Sequence, residues 1–181
     1  MKLVILDRDG VINEDSDAFI KSPQEWEPIS GSLEAIARLN QSGFRVIVAT
    51  NQSGIGRGLF DMSALNAMHA KMHRALAGLG GKVDAVFVCP HTPDEGCDCR
   101  KPLPGLFEQI ARRYDVDLSH TPMVGDSHRD LAAGVAAGCR VILVRTGKGE
   151  ITEKRPDLPP GTPVFDNLLA AADFIVAAPR A

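Results

Sequence analysis

The stretch LVILDRDG, residues 3–10, decides the fold. Four consecutive apolar residues with no polar alternation read as a short strand buried on both faces. The run stops at Asp7, and Gly10 then permits a sharp turn. Four similar runs follow at VIVA (46–49), VFV (86–88), MV (123–124) and VILV (141–144). Between them lie amphipathic segments. LEAIARLN (33–40) begins after Ser32, and SALNAMHAKMHRAL (63–76) follows Asp61 and ends near Gly78. LFEQIARRY (106–114) starts after Pro104-Gly105, and DLAAGVAAG (130–138) closes on a glycine. Such alternation predicts right-handed crossovers and one α/β domain over residues 1–181, its parallel sheet covered by helices on both faces. Residues 147–163 read as a Gly- and Pro-rich loop, and residues 167–174 as a final helix. A ligand site is expected at the carboxyl ends of the strands.

Composition narrows the class. The chain has 181 residues, 44% hydrophobic and 24% charged, the balance of a globular protein with a substantial core. Its net charge of −3 gives no general attraction to nucleic acid or to an anionic membrane. The N-terminus lacks the long apolar core of a signal peptide, and no segment approaches the roughly 20 apolar residues of a membrane span. A cytoplasmic location is therefore expected, where a stable disulfide is disfavoured. No apolar heptad marks an oligomer, so a monomer is expected.

Polar residues collect where strands end. Asp7 and Asp9, two apart, point the same way if the backbone stays extended, and such a pair can hold a hard cation such as Mg²⁺ or divide nucleophilic and acid–base work. The second strand runs into ATNQSGIGRG, where hydroxyl, amide and glycine groups can cradle phosphate oxygens. A later strand runs into MVGDSHRD, with Asp126 at the position Asp7 holds on its own strand and Asp130 one turn further on. Asp126 could equally cap the helix that follows. Lys101 supplies a cation just before a helix.

The stretch VFVCPHTPDEGCDCRKP (86–102) holds three of the four cysteines and a histidine. Cys89, His91, Cys97 and Cys99 are the donor set of a closed tetrahedral structural Zn²⁺ site. Prolines 90 and 93 stiffen this loop, and a segment with so little core of its own needs a staple. A redox cluster or incidental thiols are the competing readings, and a nucleic-acid-binding zinc module lacks its basic helix. Cys139, between a helix and a strand, reads as a small buried hydrophobe. His69 and His73, four apart, read as solvent-facing residues on an amphipathic helix, and Trp26 as packing for the loop after the first strand. His128 either contacts the site or sits in the first turn of its helix.

Taken together, DRDG, Thr50, Lys101 and GDSHRD match four successive motifs of the haloacid dehalogenase-like phosphatases. The resemblance runs from Asp7 to about Thr146. With TNQSGIGRG and CPH…CDCRKP the chain is similar to the branch containing histidinol phosphatases and heptose-bisphosphate phosphatases. Val11 departs from the pattern, standing where many relatives carry Thr, and the His91–Cys97 interval is shorter than in some members. The resemblance implies a Rossmann-like three-layer α/β/α fold without a separate cap domain. It also implies a phosphoric monoester hydrolase that takes the C7 phosphate from D-glycero-D-manno-heptose 1,7-bisphosphate in nucleotide-heptose precursor synthesis. Histidinol phosphate is the alternative substrate, and a phosphate-binding scaffold without turnover is a reading of another class. In the implied roles, Asp7 is the nucleophile and Asp9 the acid–base residue, with Thr50 and Lys101 on the phosphoryl oxygens. Asp7, Asp9 (through its backbone carbonyl) and Asp126 hold Mg²⁺. Asp15, Ser16, Asp17 and Ala18, with Asn51, Gln52 and Ser53, match the two substrate-contacting loops. Arg100 is placed to pair with a second phosphate, with Arg57 a weaker candidate for it.

Overall fold

A computed structural model describes residues 1–178. The first strand, β1 (Lys2–Leu6), leads through a long loop to α1 (Ser32–Gln41) and β2 (Phe44–Asn51). After α2 (Ser53–Gly56) and α3 (Met62–Ala77) the chain enters β3 (Ala85–Cys89), crosses the cysteine-rich loop and forms α4 (Gly105–Tyr114). Then come β4 (Pro122–Gly125), α5 (His128–Ala136), β5 (Arg140–Val144), α6 (Gly149–Glu153), β6 (Val164–Phe165) and α7 (Leu168–Ala177).

The six strands form one sheet in the order β3-β2-β1-β4-β5-β6, every pairing parallel. β1 is central, with Ile5 beside Ile47 of β2 and Met123 of β4. Because side chains alternate along a strand, Val4 and Leu6 face one layer while Leu3 and Ile5 face the other. The first layer is built with α1, α3 and α7, and the second with α4 and Ala133 of α5. Two buried faces explain the unbroken apolar runs. Trp26 lies fully buried in the first layer and Cys139 is buried in the second, as the sequence predicts.

Three short elements are not legible in the sequence: the four-residue α2 lies in the turn after β2, and the other two lie further on. Residues 147–163, expected to be loop, contain the five-residue α6, and β6 is only two residues long. None of the three is long enough to carry a periodicity. Ser127, not Asp126, caps α5: its hydroxyl faces the Asp130 amide, and the Asp130 carboxylate accepts from the Ser127 amide. Asp126 is thereby free to face the site. No described helix is long and apolar enough to cross a membrane.

Candidate active site

The strand order reverses between β2-β1 and β4-β5, the place where open parallel sheets form a crevice. A cavity of about 250 Å³ opens there, between the ends of β1, β2 and β4. The turn after β1 is drawn tightly against β4. The Asp7 amide donates to the Val124 carbonyl at 3.0 Å, and Gly10 takes a φ of +83°. A Cβ at Gly10 would collide with the Asp126 carboxylate, so both its conformation and its surroundings demand glycine.

Lys101 organises the floor of the cavity. Its ammonium donates to Asp7 Oδ1 at 2.8 Å and to the Ala49 carbonyl at 2.8 Å, and lies 2.7 Å from Asp130 Oδ1. All three of its protons are thus used, and the side chain is buried. Burial acts to neutralise this lysine, but Asp130 and Asp7 outweigh it and raise its pKa. Lys101 also outweighs burial at Asp130, whose pKa is lowered. The remaining two carboxylates are pushed the other way. Burial, then Asp130, raises Asp7 to about 7, and burial, then Asp130 and Asp7, raises Asp126 to about 9. Asp7, Asp126 and Asp130 bring oxygens within 4.8 Å of one another, two of them paired with the Lys101 ammonium. Three hard oxygen donors with surplus negative charge, all buried, fit a divalent cation of the Mg²⁺ kind.

Asp9 faces the same cavity but is held separately, by Arg8, Asn13 and Gln52. Asp15, Ser16, Asp17, Asn51, Gln52, Ser53 and Arg100 also line it. Two expected residues stand outside the lining. Thr50 is fully buried behind it, its hydroxyl accepting from Gln52 Nε2 at 2.9 Å, and Ala18 is exposed beyond the rim. Val11, the departure from the family pattern, points into the core. The sequence reading left Asp130, Arg129 and Lys148 unassigned, and the cavity includes all three. Asp130 had a legible signal in its spacing of four from Asp126, which on a helix start brings two carboxylates to one side. His128 lies outside the lining, its Nε2 3.6 Å from Asp157 Oδ2. A larger groove, of about 1130 Å³, opens at the amino-terminal edge of the sheet beside Phe44, Val141 and Phe174, remote from both ligand clusters.

The Cys89–Cys99 loop closes on itself. His91 Nδ1 lies 3.3 Å from Cys99 Sγ and 3.6 Å from Cys89 Sγ, and Cys89 Sγ lies 3.7 Å from Cys97 Sγ. All four donors fall within 4.8 Å of one another, a convergence that fits tetrahedral Zn²⁺. Burial acts to raise Cys97, but the Arg100 amide and the neighbouring thiols bring it down to about 7, on the way to the thiolate a metal needs. The loop is fastened to the cavity wall. Asn51 exchanges two hydrogen bonds with the Lys101 backbone at 3.0 Å each, and the Gln52 amide donates to the Cys89 carbonyl at 2.8 Å.

His69 corrects the sequence reading. His73 is exposed as expected, but His69 is buried, with Nε2 3.3 Å from Arg8 Nη1. Residues four apart on a helix differ by about 40° in direction, enough here to carry one inward beside Leu65 and Met72 and leave the other in solvent. Burial, then the charges of Arg8 and His73, lower the His69 pKa from 6.5 to about 4. Between these values the unfolded chain binds a proton that the folded chain refuses. Burying neutral His69 is therefore without penalty above about pH 6.5, and the penalty grows as pH falls toward 4, a loss of about 3 kcal/mol in stability. Urea titrations at pH 7 and pH 4.5 should show this loss in the native protein and a smaller one in His69→Gln. An equal pH dependence in the two proteins would remove His69 as its source.

The comparisons with known proteins agree with this geometry. The profile of the HAD-hydrolase-like family matches residues 98–171. D-glycero-β-D-manno-heptose-1,7-bisphosphate 7-phosphatase of Bordetella bronchiseptica is 62% identical, over 97% of this chain and 98% of its own length. The protein of the same name from Pseudomonas aeruginosa is 55% identical, over 96% of this chain and 97% of its own. A crystal structure of the B. bronchiseptica D,D-heptose 1,7-bisphosphate phosphatase, complexed with magnesium and phosphate, superposes with a TM-score of 0.96 at 61% identity, covering 97% of this chain and 98% of that one. The corresponding structure from Burkholderia thailandensis gives a TM-score of 0.80 at 53% identity, covering 98% and 100%. More than half identical to such relatives along nearly its whole length, the chain belongs to the haloacid dehalogenase-like phosphatases, in the branch with the heptose-bisphosphate phosphatases.

Proposed function

We propose that the chain is a monomeric cytoplasmic phosphatase that removes the C7 phosphate of D-glycero-D-manno-heptose 1,7-bisphosphate in the synthesis of ADP- or GDP-heptose precursors. The observation that carries this reading is a near full-length similarity to phosphatases of that name, joined to a strand-end cavity where three aspartates converge beside Lys101 and Asp9. The relatives' names favour the β anomer and disfavour histidinol phosphate.

Asp7, Asp126 and the backbone carbonyl of Asp9 would hold Mg²⁺, with Asp130 close enough to join them. The ion, when bound, neutralises charge on the phosphoryl oxygens. Asp7 attacks phosphorus, and the bond from phosphorus to the C7 oxygen breaks. Asp9 gives its proton to that departing oxygen. Water then attacks the aspartyl-phosphate, Asp9 takes the water's proton, and inorganic phosphate leaves. Lys101, whose three protons go to Asp7, Asp130 and the Ala49 carbonyl, acts on the transferring oxygens through its positive charge and by holding Asp7 in place. Thr50, behind the lining, acts through Gln52, whose amide it holds at 2.9 Å against the cavity. Cys89, His91, Cys97 and Cys99 would hold Zn²⁺, which fixes the loop carrying Arg100 and Lys101.

Arg100 sits at the rim as the partner of a second phosphate, a planar guanidinium being suited to bidentate contact. Its substitution by Ala should raise KM for the bisphosphate about 10-fold or more with little change in kcat. The experiment is phosphate release with Mg²⁺, comparing kcat/KM for the two anomers of heptose 1,7-bisphosphate and for histidinol phosphate. A preference of at least 10-fold for one bisphosphate supports the reading. Faster turnover of histidinol phosphate would reject the substrate and keep the chemistry.

A further inference from the structure

Arg8 stands between the two aspartates of the DRDG turn, yet its side chain is fully buried behind the cavity. A guanidinium in such a place is costly unless its N–H groups are paired. Nε and Nη2 donate to Asp9 Oδ1 at 3.2 and 2.8 Å. Nη1 reaches Nε2 of His69 at 3.3 Å, from a helix 61 positions later in the chain. Arginine offers only donors, so Nε2 must accept, and the imidazole is neutral with its proton on Nδ1. The depressed pKa of His69 agrees with that tautomer.

The two oxygens of Asp9 are consequently unequal. Oδ1 takes a third hydrogen bond, from Asn13 Nδ2 at 2.8 Å, and has no lone pair left to hold a proton. Oδ2 has one partner, Gln52 Nε2 at 2.9 Å, which belongs to the cavity lining.

We propose that Arg8 and His69 are positioning residues: His69 fixes the Arg8 guanidinium, Arg8 occupies Oδ1 of Asp9, and the catalytic proton is carried by Oδ2. This rests on the acid–base role of Asp9 in the proposed function. In the first step the Oδ2–H bond breaks as phosphorus leaves the sugar oxygen, the proton moves to that oxygen, and the resulting carboxylate stays paired with Arg8. In the second step a proton from the attacking water returns to Oδ2. Without His69 the third N–H direction of Arg8 loses its acceptor, and the guanidinium is free to turn away from Oδ1.

The dependence on leaving group tests this. Phosphoryl transfer to Asp7 governs kcat/KM, and only a poor leaving group needs a proton. His69→Leu should lower kcat/KM on a sugar phosphate about 10- to 100-fold, part of the 10²–10⁴ that a positioned acid contributes. On 4-nitrophenyl phosphate, whose phenolate leaves unprotonated, the loss should stay under about 3-fold. His69→Gln, whose amide oxygen accepts from Arg8, should restore the sugar phosphate rate to within about 3-fold. Should the leucine variant fold poorly, His69→Asn, polar but too short to reach Arg8, takes its place. Equal losses on both substrates, no loss on either, or failure of Gln to rescue would overturn the proposal. If the native enzyme prefers a different sugar phosphate, that substrate serves equally, so an error in the substrate leaves the leaving-group contrast readable.

Discussion

Asp7→Asn is expected to lose turnover by roughly 10⁴–10⁶-fold, the range seen when a nucleophile that forms a covalent intermediate is removed. The amide keeps the size of the carboxyl and can still accept from Lys101, but it cannot attack phosphorus. The same substitution should not destabilise the protein. Burial and the nearby Asp130 raise the Asp7 pKa from 3.8 to about 7, so the folded state resists its ionisation. For a carboxyl with a raised pKa, the penalty on folding is absent below about 3.8 and is complete above about 7. In the absence of divalent cation, the variant should therefore melt at or above the native temperature, with its advantage larger at pH 8 than at pH 5. A single-turnover assay with thermal melts on the same preparation reads both effects. An Asp7→Asn enzyme with native turnover would end the aspartyl-phosphate mechanism. An inactive variant that also unfolds would leave the assignment without support.

Loss of the Cys/His clip is the second large effect. The loop between β3 and α4 contains one short 3₁₀ turn, at Pro93–Glu95, and none of that turn is buried. It is held by the four converging donors, by Cys89 and Cys99 packed into the second core layer, and by hydrogen bonds to Asn51, Gln52 and Gly56. Metal binding to such a loop is folding free energy, and replacing Cys97 by Ser should cost about 3 kcal/mol or more. In a protein of this size that is roughly 6–12 °C in Tm. Activity should fall with it, because Arg100 and Lys101 follow Cys99 directly and Lys101 Nζ must stay 2.8 Å from Asp7. Metal analysis, melting and phosphate release on Cys97→Ser, and on chelator-treated enzyme, measure the coupling. A metal-free enzyme with native Tm and kcat would show that the clip is not structural.

The residues explain what could be read in advance. β1, β2 and β5 are short apolar runs with buried centres, and that burial is written locally in composition, whereas β3, at the sheet edge, is half-buried over most of its length. Asp7, Asp126 and the Asn51–Ser53 segment follow strand ends, so their convergence followed once a parallel sheet was inferred. Cys89, His91, Cys97 and Cys99 lie within eleven positions, close enough that any compact loop brings them together. By contrast, α6 and β6 are too short for a period, and tertiary contacts hold them: Thr152 donates to the Asp126 carbonyl at 2.7 Å, and β6 pairs with β5.

Local chemistry alone thus determined the layered parallel fold, the strand-end carboxylates and the Cys/His cluster. Tertiary structure decided which of these groups touch. Lys101 meets Asp7 across 94 positions, and Asp130 joins them, because the sheet order sets β2 and β4 on either side of β1. His69 reaches Arg8 because α3 packs with Leu65, Met68 and Met72 inward, which turns its fourth-residue neighbour, His73, outward. Thr50 lies behind the cavity because Gln52 folds over its hydroxyl. Periodicity assigns a residue to a face, but a few tens of degrees of helix rotation and the order of strands settle its partner, and those depend on the packing of the whole chain.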